Sequence, residues 1–122
     1  GIGMDLVEVD RIEDSIRRFG DRFLGRILRA DEIRYCQSQG RPGLHVAARF
    51  AAKEAASKAF GTGIGSDLGW LDLEVTRNAA GKPILVLHDS GILLAEKRNI
   101  RSIHLTLTHT GTTAGATVIL EG

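Results

Sequence analysis

Between Leu44 and Phe60 the chain carries seven alanines, at 47, 48, 51, 52, 55, 56 and 59. They recur at helical spacing and cover one side of the segment. Alanine has the highest intrinsic helix propensity, and its short side chain lets a neighbouring element approach closely. The segment therefore predicts a helix with a sheet or a second helix laid against its alanine face. The opposite side carries Arg49, Lys53, Glu54 and Lys58, with Phe50 among them. Gly61, Gly63 and Gly65 close the helix in a loop able to take positive φ.

The other elements follow from period and punctuation. From Gly1 to Val9 the pattern is that of a strand, with Ile2, Met4 and Leu6 on one face and Gly3, Asp5 and Val7 on the other. Asp10 is placed to cap a following helix, with Glu13 completing a capping box. Ile12, Ile16, Phe19 and Phe23 recur at helical spacing, and Gly20 ends or bends that helix. Leu24, Ile27 and Leu28 continue the amphipathic pattern, and a short helix follows over 31–37. Leu71, Leu73 and Val75 alternate with polar residues. A turn containing Asn78, Gly81 and Pro83 then leads into Ile84 to Leu87. A helix is expected over 89–98, and strands over 103–108 and 114–120. The order is β-α-α-α-β-β-α-β-β: an α+β fold with helices packed on a largely antiparallel sheet. No linker, repeat or low-complexity tract interrupts the 122 residues, so residues 1–122 are read as a single domain.

Several classes are disfavoured. No run approaches the ~20 apolar residues needed to span a bilayer, and nothing at the start has the pattern of a signal peptide. Cys36 is the only cysteine, which excludes an internal disulfide framework and a cysteine-rich zinc site. A cytoplasmic setting is the natural reading. The net charge is +1 but unevenly placed. Arginines at 11, 17, 18, 22, 26 and 29 are set against only Glu13, Asp14 and Asp21 in the same stretch. That asymmetry suits an acidic partner as well as it suits a solvated pair of helices. Aromatic residues at 5% leave little for stacking on nucleic-acid bases.

Two carboxylates stand out. Asp5 is flanked on its strand by Gly3 and Val7, and the glycines at 1 and 3 leave space beside it. Glu54 lies next to the alanine face, near packed structure. Together they could share a hard divalent cation; separately they read as a strand-edge acid and as an i,i+4 partner of Lys58. Arg49, Lys53 and Lys58 around Glu54 would suit a polyphosphate held through that cation. The glycines at 61, 63 and 65 do not form a Walker loop, because no Lys-Ser/Thr pair follows. Among the histidines, His109, beside Thr110 at a strand end, is placed for a phosphate or a proton transfer, with a structural role as the alternative. His104 reads as a strand residue on the less buried face, and His45 and His88 as structural. Cys36 reads as a small buried hydrophobe.

Three segments carry a resemblance: Gly1-Ile2-Gly3-Met4-Asp5-Leu6-Val7-Glu8, Arg49-Phe50-Ala51-Ala52-Lys53-Glu54-Ala55-Ala56-Ser57-Lys58-Ala59-Phe60-Gly61, and His104 to Thr110. With Gly81-Lys82-Pro83 and Val118-Ile119-Leu120-Glu121, they resemble the holo-acyl-carrier-protein synthase family of small phosphopantetheinyl transferases, over essentially the whole chain. The resemblance implies transfer of the phosphopantetheine arm of coenzyme A to a serine of apo acyl carrier protein, with adenosine 3′,5′-bisphosphate leaving, in support of fatty acid biosynthesis. It implies Asp5 and Glu54 as Mg²⁺ ligands, and Glu54 and Lys58 as catalytic residues. Lys58 would lie near the pyrophosphate. Arg49, His109 and Thr110 would hold the nucleotide, and Gly81-Lys82-Pro83 would form a turn near the adenine. The carrier protein would dock on Arg11, Arg22 and Arg26. A homotrimer is implied, with active sites at subunit interfaces and the turn at 81–83 reaching a neighbour's site. The threonines at 106 and 108, where serines are commoner, and His45, where an apolar residue is common, depart from the family pattern.

Overall fold

The computed structural model describes all 122 residues. Strand β1 (Ile2–Glu8) leads into helices α1 (Val9–Phe19), α2 (Asp21–Ile27), α3 (Ala30–Gln37) and α4 (Pro42–Phe60). A single 3-10 turn (Trp70–Asp72) precedes strands β2 (Leu73–Arg77) and β3 (Pro83–Leu87). Helix α5 (Ser90–Lys97) and strands β4 (Ser102–His109) and β5 (Thr113–Glu121) complete the chain. All strand pairings are antiparallel. They make a three-stranded sheet of order β1-β5-β4 and a separate β2-β3 hairpin. This is the expected α+β arrangement. No helix is long and apolar enough to cross a membrane.

The alanine face of α4 lies on β1 and β5, and Ala51, Ala52, Ala55 and Ala56 are fully buried there. The glycines of β1 make this approach possible. A β-carbon on Gly3 would overlap the carbonyl oxygen of Ala55, and one on Gly1 that of Ala59. The face of β1 turned toward α4 is therefore the Gly3-Asp5-Val7 face. Its apolar face looks outward, with Ile2 70%, Met4 62% and Leu6 66% exposed. Ile119 of β5, paired with Ile2, extends this apolar surface.

Helices α1 to α3 bury a second core, containing Val9, Ile12, Leu24, Ile27 and Val46, against the other flank of α4. The side of α4 opposite the sheet is thus not a solvent face. Arg49 is 1% exposed and Lys53 is fully buried. Lys53 Nζ donates to Glu32 Oε1 at 2.7 Å, to the Ile27 carbonyl at 2.7 Å and to the Trp70 carbonyl at 3.2 Å. Glu32 in turn accepts from the backbone N–H groups of Arg29 and Val75, both at 2.9 Å. Lys53 is therefore a structural cation that joins α2, α3, α4 and β2, and not one of the bases available to a phosphate. Burial lowers the pKa of its ammonium, outweighing the pull of Glu32.

Two local expectations are corrected. Asp10 does not cap α1: Glu8 stands at the cap position two residues earlier, straight out of β1, with no side-chain cap. The Val9 N–H is satisfied by the Thr112 carbonyl of the β4-β5 turn at 2.9 Å instead. Glu13 is drawn away to Arg41 in a two-pronged pair at 3.0 and 3.2 Å. Gly20 (φ 54°) ends α1, its N–H donating to Ile16, so the segment beyond it forms its own helix, α2. Cys36 is buried as expected, and burial pushes its thiol pKa up, away from nucleophilic use.

Candidate active site

β1 and α4 bring Asp5 and Glu54 to one cleft of about 320 Å³, lined also by Arg11, Ser15, Phe23 and Phe50. The close contact made by Gly3 sets Asp5 against the C-terminal half of α4. Lys58 does not pair with Glu54 as the i,i+4 spacing suggests. It reaches across to β1, its Nζ donating to Asp5 Oδ1 at 3.0 Å and to the Met4 carbonyl at 3.1 Å. Burial raises the pKa of the Glu54 carboxyl, the charge of Asp5 raises it further, and Lys58 opposes both. Two acids held this close, one of them disfavoured as an anion, form a site that gains from a cation.

The donor set suits one kind of ion. No group of three or more His, Cys, Asp or Glu side chains converges anywhere in the chain. Two carboxylates in an open cleft do not fill a coordination shell, which disfavours a closed structural zinc. They match what Mg²⁺ takes from a protein when waters and substrate phosphates complete its octahedron.

The remaining candidates lie elsewhere. Arg49 precedes Glu54 by five residues, so the two side chains leave α4 about 140° apart. Arg49 lines a second cavity of about 230 Å³, with Tyr35, Glu74 and Arg77. Its guanidinium carbon sits 4.5 Å from the Tyr35 ring centroid, and that of Arg77 sits 5.0 Å from the same ring. The Arg49 Nη1 donates weakly to the His45 carbonyl at 3.3 Å, and its Nε has no partner at all. Arg77 Nη1 donates to the Gly81 carbonyl at 2.8 Å, which ties the hairpin turn to this cavity. The turn itself is held by Asn78, whose Oδ1 accepts from the Ala80 and Lys82 N–H groups at 2.9 and 3.0 Å, with Gly81 at φ 86°. Gly81 and Lys82 are exposed and Pro83 opens β3.

His45, read from the sequence as structural, belongs to this cluster. Its ring meets Tyr35 edge-on at 5.7 Å. Burial lowers its pKa, and Arg49, Arg77 and His109 lower it further. His109 is exposed at the end of β4. The Thr110 hydroxyl is already engaged in the β4-β5 turn, accepting from the Thr113 N–H at 3.0 Å. His88 is structural as expected, bonded to Glu74 at 2.8 Å, and His104 pairs with Glu121 at 2.5 Å.

The candidate set therefore divides within one chain. Asp5, Glu54, Lys58 and Arg11 form an acidic half. Arg49, His109 and the turn at 81–83, joined by the unforeseen Tyr35 and Arg77, form a cationic half. Arg22 and Arg26 line a small cleft of about 140 Å³ with Phe19 and Phe23. Phe23 is common to that cleft and the acidic one, so the two are neighbours. Neither Tyr35 nor Arg77 carries a sequence signal: each belongs to no motif, and only folding brings α3 and β2 together.

Residues 1–114 match the family model described as the 4′-phosphopantetheinyl transferase superfamily. A "Holo-[acyl-carrier-protein] synthase" of Koribacter versatilis (strain Ellin345) is 52% identical over 121 residues, covering 99% of this chain and 97% of the relative. The crystal structure of the Neisseria meningitidis holo-[acyl-carrier-protein] synthase superposes with a TM-score of 0.93 at 34% identity, covering 100% of this chain and 98% of that one. The Helicobacter pylori enzyme, crystallised in complex with coenzyme A, superposes with a TM-score of 0.89 at 33% identity, covering 99% of this chain and 100% of that one. The chain belongs to the 4′-phosphopantetheinyl transferase superfamily, and within it to the holo-[acyl-carrier-protein] synthase type.

Proposed function

We propose that this chain transfers the 4′-phosphopantetheine arm of coenzyme A to a serine hydroxyl of apo acyl carrier protein, with Mg²⁺, releasing adenosine 3′,5′-bisphosphate and serving fatty acid biosynthesis in the cytoplasm. The observation that carries the reading is the meeting of Asp5 and Glu54 in a cleft that neighbours an arginine-lined one. Asp5 and Glu54 hold the ion. When bound there, Mg²⁺ neutralises pyrophosphate charge and stabilises the leaving phosphate. Lys58, already anchored on Asp5, adds a cation beside that pyrophosphate. Glu54 also serves as the proton acceptor for the serine hydroxyl. Arg49, with its unsatisfied Nε, and His109 take the nucleotide phosphates. The turn at Gly81-Lys82-Pro83 borders the adenine.

The division of the site supports a homotrimer. The acidic and cationic halves leave α4 in different directions, and a head-to-tail cyclic assembly would set one chain's cationic half against its neighbour's acidic half. The outward apolar face of Ile2, Met4, Leu6 and Ile119 supplies a surface for such packing.

The test is direct. The protein is mixed with apo acyl carrier protein, coenzyme A and Mg²⁺, and the carrier is weighed by mass spectrometry. Addition of one phosphopantetheine to a serine, abolished by chelation, is expected; an unmodified carrier contradicts the reading. The docking face makes a separate prediction. Arg22→Glu and Arg26→Glu reverse rim charges without touching the acidic cleft. KM for the carrier protein should rise by about tenfold and lose its salt dependence, while KM for coenzyme A stays unchanged. An equal rise in both would argue against a separate docking face.

A further inference from the structure

Within the reading that Arg49 holds the nucleotide, the cavity around it shows how that side chain is aimed. Three carboxylates line the cavity alongside Arg49 and Arg77, and each is already committed elsewhere. Glu32 is saturated by Lys53 and two backbone N–H groups. Glu74 accepts from His88, and Asp31 pairs with Arg34. Neither Arg49 nor Arg77 has a carboxylate partner, although Arg49 is 1% exposed. What both guanidinium groups do share is the ring of Tyr35, at 4.5 and 5.0 Å. Two like charges are thus brought together on the quadrupole of one aromatic ring, and their hydrogen-bonding capacity stays largely unspent. The buried Arg49 Nε is likewise without a hydrogen-bond partner.

We infer that Tyr35 is a positioning residue for the nucleotide site: its ring anchors the Arg49 and Arg77 guanidinium groups at one cavity as a preorganised cradle for a phosphate of coenzyme A. Arg77 is in this way a second phosphate-binding guanidinium, drawn from the β2-β3 hairpin. The phenol hydroxyl has no part in the arrangement, because the contact is made by the ring.

The experiment compares Tyr35→Leu, Tyr35→Phe, Arg49→Met and the Tyr35→Leu/Arg49→Met double variant. Turnover is measured against each substrate, and binding of adenosine 3′,5′-bisphosphate by calorimetry. Tyr35→Leu should raise both the KM for coenzyme A and the Kd for the bisphosphate by about tenfold. Its kcat at saturation and its KM for the carrier protein should stay at the parent values. Tyr35→Phe should bind the bisphosphate as the parent does. In the Arg49→Met background, Tyr35→Leu should add less than its tenfold effect in the parent, because only Arg77 is left for the ring to hold. If Tyr35→Leu does not fold, Tyr35→Met gives the same readout. An unchanged Kd for Tyr35→Leu beside a raised Kd for Arg49→Met would overturn the inference. So would a full additional loss in the double variant, which would make the ring mere packing. An unchanged Kd for Arg49→Met would instead sink the assignment of Arg49 to the nucleotide.

Discussion

Asp5→Ala and Glu54→Gln should each lower transfer by at least about a hundredfold while leaving the melting temperature at or slightly above that of the parent. The activity and the stability should separate because the two acids repel one another. Glu54 is pushed toward its neutral form by burial and by Asp5, so the fold gains nothing from keeping both as anions. Asp5 is tied only to the half-exposed Lys58, whose ion pair contributes little in water. The loss should appear as a fall in turnover and as loss of the Mg²⁺-dependent increment in coenzyme A binding measured by calorimetry. Full turnover in both variants would remove the cation from the account. Unfolding of both would show that the pair is structural.

The second large effect concerns stability. Lys53→Met should destabilise the chain by about 3–5 kcal/mol in urea titration, because it strands the Glu32 carboxylate in a fully buried site. Lys53 Nζ also satisfies the Ile27 and Trp70 carbonyls, which would be left without that donor. Adding Glu32→Gln should restore part of the loss. The amide oxygen can still accept from a backbone N–H, and no charge remains to be neutralised. A cost for Lys53→Met below about 1 kcal/mol would mean that water reaches this network.

Lys53 and Glu54, adjacent in the chain, show what the sequence made legible. The helix from Leu44 to Phe60 was readable because alanine period and glycine termination are local properties, although it starts two residues earlier, at Pro42; the strand carrying Asp5 was readable from alternation. Asp5 and Glu54 stood out because the glycines beside one left space and the alanines beside the other signalled close packing, while their assignment to one ion came from the family resemblance. Lys53 could not be placed by the same logic. Its partner Glu32 lies 21 residues away on another helix, and a lysine among alanines has the same local pattern whether it is solvated or buried. The cap expected at Asp10 failed for a related reason: a distant carbonyl, that of Thr112, takes the N–H of Val9 at the helix start. Motif order likewise placed Arg49 and Glu54 together on one helix. Only the helical angle between them shows that they face different ways.

That separation has a direct consequence for an assembly of several copies. Glu54→Gln disables the acidic half of the proposed site and Arg49→Met the cationic half. Differently tagged chains carrying one change each, co-expressed and purified through both tags, are the decisive preparation. Each single variant should be nearly inactive alone. If neighbouring copies complete one another's sites, a mixed head-to-tail trimer should recover about a third of its sites, at the one junction where both intact halves meet. A doubly tagged oligomer no more active than either variant would contradict a site shared between copies.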